Sequence, residues 1–164
     1  MKVETKSTRM ESLIALYDIQ SKYFLRAIEG ISDADAHNRL STKANHIAWL
    51  AGSLVEQRYY SAKQSGKELK HTGSELFENY KGIVADAIYP KLSEYKKDWE
   101  NITPVLRELF INITDDQLDV IIDMGEFKMS NYELITFTIY REASIIGQIA
   151  LWRRLLGYDA MKYD

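Results

Sequence analysis

The feature that most constrains this chain is its last long apolar segment, Ser130 to Leu156, followed by Gly157. Ser130-Asn-Tyr-Glu133 is a capping box: the serine hydroxyl accepts the third amide, and Glu133 reaches back to the serine amide. Gly157 suits the left-handed residue that ends a helix. Between them, Leu134, Ile135, Phe137, Ile139, Ile145, Ile146, Ile149, Leu151, Trp152, Leu155 and Leu156 spread over almost every face. A helix that is apolar nearly all round must be covered on several sides. Arg141, Glu142, Ser144, Gly147 and Gln148 interrupt this surface, and any chemistry is expected there.

Three further segments have helical period. Met10, Leu13, Ile14, Tyr17, Phe24, Leu25 and Ile28 predict a first helix over 9–29, opened by a capping box at Thr8 and ended by Gly30. A second helix is expected over 43–65, with His46 near its start and Gly52 permitting close approach of a neighbour. Leu92, Tyr95, Trp99, Ile102, Leu106, Leu109 and Ile113 alternate steps of three and four, giving a third helix that opens at Pro90 and bends near Pro104. Short turns are expected at Ser32, at Ser74–Tyr80 and at Thr114, and an irregular β excursion over 120–128. Four long segments without a convincing sheet make the chain all-α, a four-helix bundle with a long connection between its second and third helices. Its 164 residues suit one domain, 1–164.

Composition narrows the function classes. The formal charge is −3 with no basic run, which disfavours nucleic acid. No cysteine is present, so disulfides, thiolate sites and a cysteine nucleophile are excluded. No apolar run reaches the ~18 residues of a membrane span, and the polar N-terminus does not read as a signal peptide; a cytoplasmic protein is expected.

Two stretches, Asn45-His-Ile-Ala-Trp-Leu-Ala-Gly-Ser53 and Arg141-Glu-Ala-Ser-Ile-Ile-Gly-Gln-Ile-Ala-Leu-Trp-Arg-Arg-Leu-Leu-Gly157, resemble the DinB/YfiT-like superfamily of four-helix bundles. The resemblance implies a divalent metal held by three histidines in the bundle core. One follows a second-helix Trp by four residues, and two stand in a His-x-x-x-His-x-Gly-Gln pattern on the last helix. It further implies thiol-transferase or hydrolase chemistry and frequent pairing into homodimers. The three ligand positions here are Ser53, Arg141 and Ile145. A hydroxyl, a permanent cation and a hydrocarbon do not hold a metal at neutral pH. No metal cofactor is therefore expected.

The candidate pocket residues are Ser53, Arg141 and Ile145, with their neighbours Trp49, Glu56 and Gln148. Arg141 reads either as one partner of a buried ion pair with Glu56 or Glu142, or as the cation that holds a small anionic or polar ligand. Gln148 is expected to hydrogen-bond inside the bundle and Gly147 to admit a close helix. His46 reads as a hydrogen-bonded histidine at a helix start, His37 and His71 as surface residues. Three functions stay open: a bundle that has lost its metal and keeps a ligand pocket, an active thiol transferase or hydrolase using other residues such as Ser53 with Glu56, and a dimeric interaction module.

Overall fold

The computed structural model describes residues 4–123 and 125–164. The protein is predominantly helical. A 3-10 turn at Thr8–Met10 leads into α1 (Glu11–Ile28), followed by the one-turn α2 (Asp33–Ala36) and then α3 (Ile47–Gln64). After a long connection come α4 (Leu92–Asn112), the short α5 (Asp115–Leu118), strands β1 (Ile121–Asp123) and β2 (Lys128–Ser130), and α6 (Asn131–Leu155). The strands pair antiparallel, with Ile122 opposite Met129. The turn between them includes Met124, which lies outside the described residues, as do positions 1–3 of the polar N-terminus.

The caps decide the boundaries. Ser130 accepts from the Glu133 amide while the Glu133 carboxylate takes the Ser130 amide, and Gly157 closes the end at φ +88°. Thr114 and Gln117 form the same box before α5. At the N-terminus the expected cap at Thr8 is corrected: Ser7 accepts from Arg9 and also bonds Asp115, which moves the helical start one residue back. The second helix starts at Ile47 and not near 43, because Arg39 holds the carbonyls of Lys43 and Ala44 in a turn. Pro90 stands before the cap of α4, which is Lys91, and α4 runs through Pro104 without a break. Residues 74–80 form two 3-10 turns, Ser74–Leu76 and Glu78–Tyr80, the second with Asn79 at φ +56°.

α1 and α6 run side by side in the same direction. Arg9 lies over Tyr132 at one end, and Arg153 donates to the carbonyls of Ala27 and Glu29 at the other. α3 packs on α4 and α6, and α1 also meets α3 and α4. Two apolar groups fill the space between the four long helices. The larger includes Phe24, Leu50, Leu54, Trp99, Ile102, Ile145, Ile149 and Trp152. The smaller, toward the hairpin, includes Met10, Ile14, Tyr17, Leu106, Phe110, Ile135 and Ile139.

Candidate functional site

Where the two apolar groups meet, the chain buries a charge. Arg58 of α3 is completely buried, and its guanidinium faces Glu142 of α6 side-on. Nε donates to Oε1 at 2.7 Å and Nη2 to Oε2 at 2.8 Å, a bidentate pair. The remaining donors reach the other two long helices: Nη1 donates to Thr103 Oγ1 of α4 at 2.7 Å and Nη2 to Ser21 Oγ of α1 at 3.0 Å. Both hydroxyls pass their own protons back along their helices, Ser21 to the Tyr17 carbonyl and Thr103 to the Trp99 carbonyl. The cation lies between two rings, 4.0 Å from the centroid of Tyr17 and 3.4 Å from that of Trp99. The Tyr17 hydroxyl donates to the Thr103 carbonyl, and burial raises its pKa. A buried guanidinium is tolerated only when paired and hydrogen-bonded, and here each of the other three long helices supplies a partner.

This arrangement corrects the ion-pair reading of Arg141. Its expected acid, Glu142, is engaged with Arg58, while Glu56 accepts from His71 Nε2 at 2.6 Å. Arg141 instead donates to the amide oxygen of Gln57 at 2.8 Å, and Gln57 in turn donates to the Thr138 carbonyl. Burial lowers the Arg141 pKa, against the pull of neighbouring Glu142. Ser53 and Ile145 are both buried, but Ser53 Oγ donates to the Leu50 carbonyl and Ile145 belongs to the larger apolar group. Hydroxyl, guanidinium and hydrocarbon at these positions do not form a donor set for a divalent ion. Nor does Ser53 face a base, because Glu56 is turned to His71.

The other expectations divide. His46 caps α3, its Nδ1 accepting from the Trp49 amide at 3.0 Å. Burial, with His37 and Arg39 nearby, lowers its pKa to about 4, so the ring stays neutral and able to accept. The reading of His71 as a surface residue is overturned: its side chain is buried beneath the connection, against Tyr59 and Glu56. His37 lies with Nδ1 2.6 Å from the Asp33 carbonyl and Nε2 3.2 Å from that of Tyr89. Gln148 and Gly147 do not enter the interior: both are exposed, and a Cβ at 147 meets open space. They belong to the exposed face of α6. Gly52 does admit a close neighbour, with Phe77 and Tyr95 packed against it. Trp49, half-buried, sits 6.1 Å from the Phe77 ring, and its indole N–H has no partner among the described residues.

None of the six candidates lines the cleft at the hairpin end. That cleft, about 540 Å³, opens at the hairpin end between the C-terminal turns of α3 and α4, the first turns of α6, and the strands. Its polar wall includes Tyr60, Ser61, Gln64, Gln117, Asn131 and Thr138; its apolar wall includes Leu109, Phe110, Ile113, Leu134 and Val120. Among the described residues, no charged side chain lines it. No protein-family model and no curated protein matches the chain. The chemistry of the site is therefore read from the cleft and the ion pair themselves. Arg58 was legible in principle, since it follows Leu50 and Leu54 at steps of four on the buried face of α3. The cleft was not, because its lining comes from five separate segments.

Proposed function

We propose that the chain is a DinB-like four-helix bundle in which an arginine–glutamate pair stands in for the family's metal as the tie between helices, and which binds a small uncharged molecule in the hairpin-end cleft. The observation that carries this reading is the bidentate Arg58–Glu142 pair, one residue along from Arg141 on α6, with contacts to all four long helices. A tie of that kind fills the interior, leaves no open ligand position, and favours binding over metal-assisted chemistry.

The cleft supplies the ligand class. Hydroxyl and amide groups on one wall and hydrocarbon on the other suit a neutral molecule with hydrogen-bonding groups on an apolar frame. An anion finds no cation there; Arg141 stands one turn behind the wall and is held by Gln57. Ser61→Leu places a leucine in the cleft on an exposed-end turn of α3 and leaves the ion pair intact. In a thermal-shift screen, neutral alkyl amides and alkyl glycosides are expected to stabilise the wild type, matching alkyl carboxylates are not, and Ser61→Leu is expected to abolish the response. Carboxylate binding lost on Arg141→Gln and kept in Ser61→Leu would move the site to Arg141 and refute the cleft.

A further inference from the structure

The connection between α3 and α4, residues 66–91, holds only two short 3-10 turns, and only Phe77 and Tyr89 in it are buried as whole residues. Such a segment opens readily, because few apolar contacts hold it down. Two histidines tie its ends. His71, near the start, has a side chain only 3% exposed. Its Nε2 lies 2.6 Å from a carboxylate oxygen of Glu56 on α3, and its Nδ1 lies 3.1 Å from the Thr72 carbonyl. His37, just past α2, reaches the far end. Its Nε2 lies 3.2 Å from the Tyr89 carbonyl and its Nδ1 2.6 Å from the Asp33 carbonyl. All four partner atoms are carboxylate or carbonyl oxygens, which accept. A neutral imidazole carries one N–H and one lone pair, so it satisfies one of its two oxygens and turns a lone pair on the other. The imidazolium donates to both.

We propose that residues 66–91 are a proton-latched strap, closed over α3 and α4 while His37 and His71 are protonated and loosened when these rings lose a proton. The surrounding charges fit. His71 faces Glu56 and, with ring centroids 4.8 Å apart, Tyr59 on α3; Asp98 of α4 takes the adjoining Thr72 amide at 2.8 Å. His37 faces the Asp33 turn of α2, the Tyr89 end of the strap and the His46 ring, 5.2 Å away. Burial lowers the His46 pKa to about 4, so that ring stays neutral and does not oppose a charge on His37. The nearby cations are engaged elsewhere: Arg39 with the Lys43 and Ala44 carbonyls, Lys91 with Asp33. Closure also has an opposing penalty, which makes the strap a two-state element. Phe77 and Tyr95 meet over Gly52, and Trp49 stands beside the Phe77 ring. The Tyr95 hydroxyl and the Trp49 indole N–H are buried there with no hydrogen-bond partner among the described residues. Lifting Phe77 gives both groups water, so the closed form depends on bonds such as those of the two histidines. The sign follows. The second donor of each ring exists only while the ring is protonated. Closure is therefore strongest in acid and weakens as pH rises through the histidine range near about 6.5, where the carboxylates remain ionised.

Amide hydrogen exchange of the full chain between about pH 5.5 and about pH 8 tests the strap, each rate being divided by its intrinsic value at the same pH. Protection across 66–91 is expected to fall by about tenfold for each ring that loses its second donor, the size of one hydrogen bond from a charged group. Protection of α1 and α6 is expected to stay constant. His71→Gln and His37→Gln each keep a side-chain donor at every pH and do not titrate. The first is expected to remove the pH dependence around 66–77 and the second around 80–91. A histidine with a merely structural role lowers protection at every pH in its variant and leaves the slope unchanged, which would overturn the latch. The wild-type profile needs no variant: protection of 66–91 that does not change with pH would overturn the strap. A parallel fall in α1 and α6 would do the same, since the effect then belongs to the whole fold. A slope that survives in the doubly substituted chain would move the sensor to another group and refute the two histidines.

Discussion

Replacing Glu142 with alanine is expected to lower stability by about 3–5 kcal/mol, the range for breaking a buried ion pair by removing one partner. The guanidinium of Arg58 stays fully buried in that variant, held only by two hydroxyls and two rings. Ser21 and Thr103 cannot replace a carboxylate, since each hydroxyl already gives its proton to a carbonyl and offers a neutral lone pair. For a chain of this length the loss corresponds to a fall of roughly 6–20 °C in the melting midpoint. Changing both partners to hydrocarbon, Arg58→Met with Glu142→Leu, is expected to restore most of the loss, because the desolvation penalty disappears with the charges. Urea unfolding of the single and paired variants checks this. A single variant within about 1 kcal/mol of the wild type would contradict the burial of the pair.

Gly52→Ala is the second large effect. A Cβ at 52 lies 2.5 Å from Phe77 Cζ and 2.5 Å from the Tyr95 hydroxyl oxygen. Both are ring ends held in the interior, on the connection and on α4. Alanine in a helix interior is favoured over glycine by about 1 kcal/mol, which offsets part of the overpacking. A net loss of about 2 kcal/mol is expected, with faster amide exchange across residues 66–91 as Phe77 is pushed out. Tyr95→Phe in the same chain removes the nearest oxygen, a buried hydroxyl with no hydrogen-bond partner among the described residues, and is expected to recover a measurable part of the loss. A neutral Gly52→Ala with unchanged exchange would show that the connection yields freely.

The long helices were legible because their signals are local. Capping boxes at Ser130 and Thr114, a glycine at 157 and steps of three and four between apolar residues act within a few turns. Boundaries failed where a distant partner intervened, as when Asp115 claims Ser7 or Arg39 holds the turn before His46. The site divides in the same way. Ser53 and Ile145 lie inside as periodicity requires, and Glu142 was marked as an inward acid. Its partner was misassigned because Arg141 adjoins it in sequence while Arg58 adjoins it in space. His71 was misread because a polar connection gives no hint of which side chain it folds under. The exposed face of α6 carried its signal openly: an all-round apolar helix needs more cover than three neighbouring helices give.

We propose that the Arg58–Glu142 pair, rather than a metal ion, ties the four long helices together. The most direct measurement is elemental analysis of the purified protein, paired with its melting midpoint before and after exhaustive treatment with a chelator. The expected result is less than stoichiometric divalent metal and an unchanged midpoint. One equivalent of zinc or nickel per chain, removed by the chelator with a fall in the midpoint, would contradict it.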